Sequence, residues 1–170
     1  VAKLNAEQAA AYFMLGETQG TSAGGAEEAG KFLRVPGTNP FWPDDHDHQG
    51  NRFLELMGEH QLDVYLMNTG RVGGSEDVEG SEKVRIKHSS AIVKGVAEGT
   101  ITWQRDPDFG YEVASALPGI EDAEILQPRR LYQRQERMDE YNAIVQRLRT
   151  ERCAYLATFD GLRSEIVNAV

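Results

Sequence analysis

Apolar runs that read as strands alternate with amphipathic stretches that read as helices along the middle of the chain, and this alternation limits the fold more than any single motif does. "NRFLELMGEH" has the pattern of a short helix, and "LDVYLMN" has the composition and length of a strand. "KVRIKHS" reads as a strand running into the helix "SSAIVKGVAEG", and "TITWQRD" and "YEVASAL" read as two more strands. The pattern predicts a mixed α/β fold, in which a mixed sheet is flanked by helices.

The flanks extend that reading. Asn5 followed by Gln8 has capping-box spacing, and Ala9, Ala10, Tyr12, Phe13 and Met14 continue as a helix that stops near Gly16. From Gly16 to Gly50 the chain is rich in Gly, Pro, Thr and acids. Only Phe32-Leu33-Arg34-Val35 interrupts what reads as one long connection over residues 17–50, of a length usual for a functional lid or a disordered segment. Arg134 to Phe159 carries Met138, Tyr141, Val145, Leu148, Tyr155 and Leu156 at helical spacing, which predicts a long C-terminal helix or a pair.

Length and charge bound the function. A chain of 170 residues can bury one sizeable core, so one domain over 1–170 is expected. The net charge of −9 argues against nucleic acid or an anionic membrane surface as partner, so any anionic ligand must be held by a local cluster. Cys153 is the only cysteine, which rules out an intrachain disulfide or a multi-Cys zinc site and fits a reducing cytoplasm. No apolar run is long enough to span a bilayer as a helix. The opening at Val1, straight into "VAKLNAEQAAAYFMLGE", is read as a start part-way through a larger protein or as a trimmed chain.

Several stretches carry potential chemistry. "GAEEAGKF", Gly25 to Phe32, matches most of the phosphate-cradling G-x-x-x-x-G-K-[ST] loop but puts Phe32 where the magnesium-holding hydroxyl belongs, and Glu27 and Glu28 would oppose phosphate. It is read as a chance match. Asp44, Asp45, His46, Asp47 and His48 are competent donors for a divalent ion, yet their spacing matches no closed site, and acidic loop tips of this kind are far more often simply solvated. In an extended "KVRIKHSS", Val84 and Ile86 would point one way and Lys83, Arg85 and Lys87 the other. That stripe is a seat for a phosphorylated ligand, or an edge strand protected by its cations. Ser89 and Ser90 would then cap the helix beginning near Ala91. "VYLMNTGRVGG" is a strand ending in polar and glycine residues whose backbone must approach something closely. Tyr65 and Trp103 can stack on a base or fill a core, and His60 and His88 stand alone near element ends.

The order of these motifs resembles the C-terminal part of the ATP-dependent phosphoenolpyruvate carboxykinases. "VAKLNAEQAAAYFMLGET" is similar to the family segment that enters with Val-Ser-Arg-Leu-Thr, and "YLMNTG" to its Tyr-Leu-Val-Asn-Thr-Gly strand end. "KVRIKHSSAIVKGV" is similar to its Arg-Ile-x-Ile-Lys-x-Thr-Arg-x-Ile segment, and "LPGIEDAEILQPRRLY" to its Leu-Pro-Gly-Val-x-x-x-Ile-Leu-x-Pro-Arg stretch.

The resemblance implies conversion of oxaloacetate and ATP into phosphoenolpyruvate, carbon dioxide and ADP, with Mg2+ and Mn2+ held by a part of the enzyme outside this chain. Lys3 falls where the family has an arginine bridging substrate and γ-phosphate, keeping the charge but losing the bidentate fork. Lys83 and Val84 fall on the Arg-Ile pair beside the nucleotide's sugar and base, with Arg85 next to them, and Ser89 falls on a threonine beside the adenine. Asn68-Thr69-Gly70 would end its strand on the base side. Arg71 replaces a tryptophan, Ser90 an arginine, and the family's Gly-Thr-Glu is not visible in the lid-like loop. By the same resemblance the isolated chain should not catalyse, and a non-catalytic nucleotide-binding or assembly module on the same scaffold is the alternative.

Overall fold

The computed structural model describes residues 1–19, 31–39 and 41–170. Among these residues the elements run β1 (Ala2–Leu4), α1 (Ala6–Leu15), β2 (Glu17–Gln19), β3 (Phe32–Arg34), a 3-10 turn (Pro36–Thr38), α2 (His46–Glu59), β4 (Val64–Leu66), β5 (Arg71–Val72), β6 (Glu82–Lys83), α3 (Ile86–Glu98), β7 (Thr102–Arg105), β8 (Glu112–Ala116), α4 (Ala123–Leu126), α5 (Pro128–Arg134), α6 (Met138–Leu156) and α7 (Ser164–Val167). The mixed α/β class holds. Where a mixed sheet was expected, every pairing among the described strands is antiparallel. Among the described residues, no helix is long and apolar enough to cross a membrane. The chain divides into two compact units, residues 1–4 with 64–147 and residues 5–63 with 148–170.

The first unit is built on a four-stranded sheet in the order β4-β1-β8-β7. β1 is central: Lys3 lies opposite both Tyr65 and Glu112. Ala91 and Ile92 of α3, with Trp103, Ala114, Leu117 and Leu126, form an apolar layer on the sheet. Gly95 of α3 permits this approach, because a Cβ there would run into the Leu117 side chain. A second, smaller layer unites Val72, Val84 and Leu131 beneath the β5–β6 pair. α5 and α6 are separate helices, parted where Glu136 takes a left-handed φ of 57°.

The second unit begins with the expected capping box. Asn5 Oδ1 accepts from the Gln8 amide at 2.8 Å, and the Asn5 amide donates to Gln8 Oε1 at 3.2 Å. Gly16 ends α1 in the left-handed region at φ 49°, donating to the Tyr12 carbonyl at 3.1 Å. The alanines of "AEQAAAYFML" leave α1 thin enough for close packing: Ala10, Ala11, Met14 and Leu15 are fully buried with Leu156 and Ile166. Phe13 stacks on Phe53 at 4.7 Å.

The long connection is more ordered than its composition suggested. β2 pairs with β3, and α2 starts at His46 rather than Asn51, so His46, Asp47 and His48 are the first turn of a helix. Residues 20–30, with most of the chance phosphate-loop match, lie outside the described residues. β2 and β3 are fastened by charge. Arg152, 9% exposed, donates to Glu17 Oε1 at 3.0 Å and Oε2 at 2.7 Å, and to the Tyr12 hydroxyl at 3.0 Å. Arg34 shares Glu17 at 3.2 Å and lies 4.7 Å from the Tyr155 ring centre.

Removing Arg152 takes away two charge-assisted hydrogen bonds to the largely buried Glu17 and leaves it the single Arg34 contact at 3.2 Å. Arg152→Met is therefore expected to lower unfolding free energy by about 2 kcal/mol. Arg52→Ala, which breaks only exposed pairs with Glu55 and Glu59, should change it by less than about 1 kcal/mol. Urea midpoints of the two variants compared with the parent chain check the difference, and equal shifts would refute it.

Candidate anion-binding site

The turn after β4 is closed by its own side chain. Asn68 Oδ1 accepts from the Gly70 amide at 2.8 Å, and Asn68 Nδ2 donates to the Arg71 carbonyl at 2.9 Å. The Gly70 carbonyl accepts from the Val84 amide at 2.9 Å. What the Asn68-Thr69-Gly70 backbone approaches is thus its own chain and the neighbouring segment. Gly73 serves a related need: at φ 89° it sits where a Cβ would come within 2.7 Å of Leu131.

These contacts fix the β5–β6 pair, in which Arg71 lies opposite Lys83. Arg71 donates to the Ser81 hydroxyl at 2.8 and 3.2 Å and to the Ser81 carbonyl at 3.1 Å, while the Ser81 hydroxyl donates to the Ser75 carbonyl at 2.7 Å. Val84, 5% exposed, is drawn into the apolar layer with Val72 and Leu131. The residues on either side of it, Lys83 and Arg85, stay exposed.

The expected strand through "KVRIKHS" is corrected here. β6 ends at Lys83 and α3 begins at Ile86, so Lys87, His88, Ser89 and Ser90 are helical. Ile86 does not face the core with Val84; it is 86% exposed. Nor do Ser89 and Ser90 cap the helix, since the cap position is Arg85. There the Arg85 amide donates to His88 Nδ1 at 3.2 Å and the His88 amide to the Arg85 carbonyl at 2.9 Å, a reciprocal closure with histidine in the place usually held by Glu or Gln.

Around this corner lies a cavity of about 570 Å³. Arg71, Lys83, Arg85 and Lys87 supply its cations, Glu82 and Asp122 its carboxylates, and Ser81, His88 and Ile125 complete the wall. The expected basic trio is therefore gathered, though by a strand end, a cap and a first helical turn. Val84 anchors the corner from below. Lys3 and Ser89 do not line the cavity. Lys3 lies in the middle of β1 with its ammonium 6.0 Å from the Tyr65 ring centre, and Tyr65 stacks on Trp103 at 5.8 Å. Sequence reasoning did not place Arg71, Ser81, Asp122 or His88 at this cavity. The one local signal was Arg71 itself, a cation directly after Asn-Thr-Gly.

The acids are answered from behind. Glu82, Asp122 and Glu124 can bring carboxylate oxygens within 4.8 Å of one another. Arg134 Nε donates to both Glu124 oxygens at 2.7 Å, and its Nη2 lies 3.6 Å from Glu82. Desolvation, then Asp122 and Glu124, push the Glu82 carboxyl above its ordinary range. Because a guanidinium already meets this cluster, the residues present do not fit a resident divalent ion. The Asp44 to His48 stretch offers only an exposed pair, with His48 Nδ1 2.9 Å from Asp44.

Fold and cavity define a mixed α/β protein whose concave surface is competent for an anionic small molecule. Comparison with known proteins makes this specific. The family profile described as phosphoenolpyruvate carboxykinase, in its ATP-dependent form, matches residues 1–123, and the chain belongs to that family. A relative named phosphoenolpyruvate carboxykinase (ATP) from Chelativorans sp. (strain BNC1) is 35% identical over 135 residues, covering 76% of this chain and 24% of the relative. Those from Brucella suis biovar 1 (strain 1330), 34% identical over 135 residues, and Rhodopseudomonas palustris (strain TIE-1), 35% identical over 134 residues, cover 76% and 75% of this chain. The chain spans about a quarter, 24%, of the length of each of these relatives.

His88 gives a pH test of the corner. Burial, then Lys87 and Arg85, hold its pKa below the usual 6.5, with Asp122 opposing. A histidine with a lowered folded pKa contributes stability above the unfolded value, and that contribution is lost as pH falls through the folded value. The unprotonated Nδ1 is also the acceptor for the Arg85 amide. The His88 ring is expected to titrate, by NMR, at lower pH than in the urea-unfolded chain, with α3 amide shifts moving together with it. Titration at or above the unfolded value would overturn this account.

Proposed function

We propose that this chain is the nucleotide-facing portion, with its lid-like loop 17–50, of an enzyme that converts oxaloacetate and ATP into phosphoenolpyruvate, carbon dioxide and ADP. What carries the reading is the family match over residues 1–123, within which Lys3, the Asn68 to Gly70 turn and the Lys83 to Ser89 corner lie. In the reaction the C–C bond to the departing carboxylate breaks and its electrons pass to an enolate oxygen. That oxygen then forms a bond to the γ-phosphorus as the bond to the β-phosphate oxygen breaks. Divalent ions, bound by the remainder of the parent enzyme, would supply neutralisation of the phosphate charge.

The chain's own contribution is positioning and charge. Lys3 projects from a central strand, a rigid mount for an ammonium that bridges substrate and γ-phosphate. Lys83 and Arg85, exposed on either side of the buried Val84 that fixes them, border the sugar and base in this reading, with Asn68, Thr69 and Gly70 nearby and Ser89 beside the adenine. The 170 residues contain no complete G-x-x-x-x-G-K-[ST] loop, so the chain by itself is proposed to be inactive in phosphoryl transfer, the remainder of the parent enzyme supplying the grip on the phosphates. A cytoplasmic setting follows from the substrates. The second reading, a nucleotide-binding or assembly module without chemistry, draws on Arg71, which stands where the family has a tryptophan and is tied to Ser81.

In a full-length protein containing this segment, Lys3→Ala is expected to lower kcat for phosphoenolpyruvate formation roughly 100-fold, the scale of one lost transition-state donor. An unchanged rate would remove Lys3 from the machinery. Calorimetric titration of the same protein with ATP and magnesium separates the readings, because an assembly module gives no saturable heat.

A further inference from the structure

We propose that Tyr65 is a positioning residue for the Lys3 ammonium, and that Trp103 holds Tyr65 in place. The inference rests on the reading that Lys3 bridges substrate and γ-phosphate, and it concerns what fixes that ammonium in space. In the sheet order β4-β1-β8-β7 the two aromatic residues stand on opposite edge strands, Tyr65 on β4 and Trp103 on β7. Three strand spacings of about 4.8 Å put their backbones about 14 Å apart. Yet the ring centres are only 5.8 Å apart, with the planes inclined by 29°. Both side chains therefore lean inward over the two central strands. Ala114, directly opposite Trp103 and fully buried, leaves the indole room to cross β8. Lys3 stands on β1 opposite Tyr65, and its Nζ lies over the Tyr65 ring, 6.0 Å from the centre.

A lysine delivers a point charge on a flexible four-carbon stem, without the planar fork by which an arginine orients itself on two acceptors. Holding that stem in one arrangement costs rotamer entropy, so a defined ammonium position needs a surface that favours it. The face of an aromatic ring is such a surface, because it carries the negative part of the ring's quadrupole. A lone tyrosine on an edge strand could swing about its own side-chain bonds and carry the ammonium with it. The stack on Trp103 restrains that swing. Packing alone would draw both rings inside, as it does Tyr132 at 6% exposed. Lys3, Tyr65 and Trp103 are instead each half-buried, which leaves the ammonium a side open to a ligand while the rings shield it from part of the solvent.

The test uses a full-length protein containing this segment. Tyr65→Leu is expected to lower kcat about fivefold and to leave KM for ATP and for oxaloacetate within about twofold, the scale of one cation–π contact that matters in the transition state. Tyr65→Met, a second replacement without a ring, should show the same loss, and Tyr65→Phe, which keeps the ring, should stay within about twofold of the parent. In a Lys3→Ala background Tyr65→Leu should cost less than about twofold, since a residue acting through the ammonium then has nothing to position. Trp103→Leu should lower kcat severalfold in the parent and less than about twofold once Tyr65 has been replaced by leucine. Urea midpoints establish that each variant is folded under assay conditions. Parent-like rates in both ring-less variants, a loss that Tyr65→Phe shares, or a loss just as large without Lys3 overturns the positioning role while leaving Lys3 in the machinery. Losses from Tyr65→Leu and Trp103→Leu that simply multiply overturn the part given to Trp103. An unchanged rate in Lys3→Ala removes the reading beneath the proposal, and the proposal with it.

Discussion

Burial of one valine organises the corner between β6 and α3. Val84 is surrounded in sequence by Glu82, Lys83, Arg85 and Lys87, none of which tolerates an apolar interior without a partner. Drawing Val84 into contact with Val72 and Leu131 fixes the chain at one point and turns its charged neighbours outward. The Val84 amide is then satisfied by the Gly70 carbonyl, which ties the Asn68 turn to the same place. From that anchor the polypeptide changes from strand to helix within three residues, and this change of direction wraps the cations around a concavity. A strand continued through Lys87 would have spread them along a flat edge.

The parts legible from sequence were those with a local cause. The Asn5–Gln8 box and Gly16 bracket α1 because each acts on backbone groups a few residues away. The strands at Val64–Leu66, Thr102–Arg105 and Glu112–Ala116 fall inside the apolar runs that announced them. The start of α3 was hidden because Val84, Arg85 and Ile86 alternate in polarity and two of them are β-branched, as in a strand. What overrides that pattern is the exchange between Arg85 and His88, a cap made by a residue type with no strong capping signature. The start of α2 was hidden likewise, since "PDDHDH" has a loop's composition and its first helical turn is exposed and polar.

The site shows the same division. Periodicity singled out Lys83, Arg85 and Lys87 as a group, and they are one, but the geometry uniting them is a corner and not a pleat. Arg71 and Asp122 reach the cavity only through pairing and packing: Arg71 through its place opposite Lys83, Asp122 as the cap of α4, where it accepts from the Glu124 amide at 2.9 Å. Each contact is short in sequence, but that Arg71, Lys83 and Asp122 line one cavity depends on segments that only the fold brings together. Lys3 was singled out by family resemblance alone and Ser89 by both resemblance and its expected capping role, and neither lines the cavity.

Both units pair arginines with carboxylates, and what is left unpaired bears on how an acidic protein can hold an anion. In the second unit Arg152 and Arg34 converge on one largely buried carboxylate, Glu17, where desolvation makes each contact short and directional. Their charge is consumed in holding β2 and β3 in place. In the first unit Arg129, Arg134 and Arg137 are likewise neutralised by acids, which leaves the corner cations as a local surplus. Screening over roughly 8 to 10 Å at physiological salt confines the influence of the net −9 to short range. A ligand inside the cavity therefore responds to its lining and not to the sum over the chain. Net charge argues against broad electrostatic partners such as a nucleic-acid backbone, whereas the local field in the cavity is set by the pairing state of the individual side chains that line it.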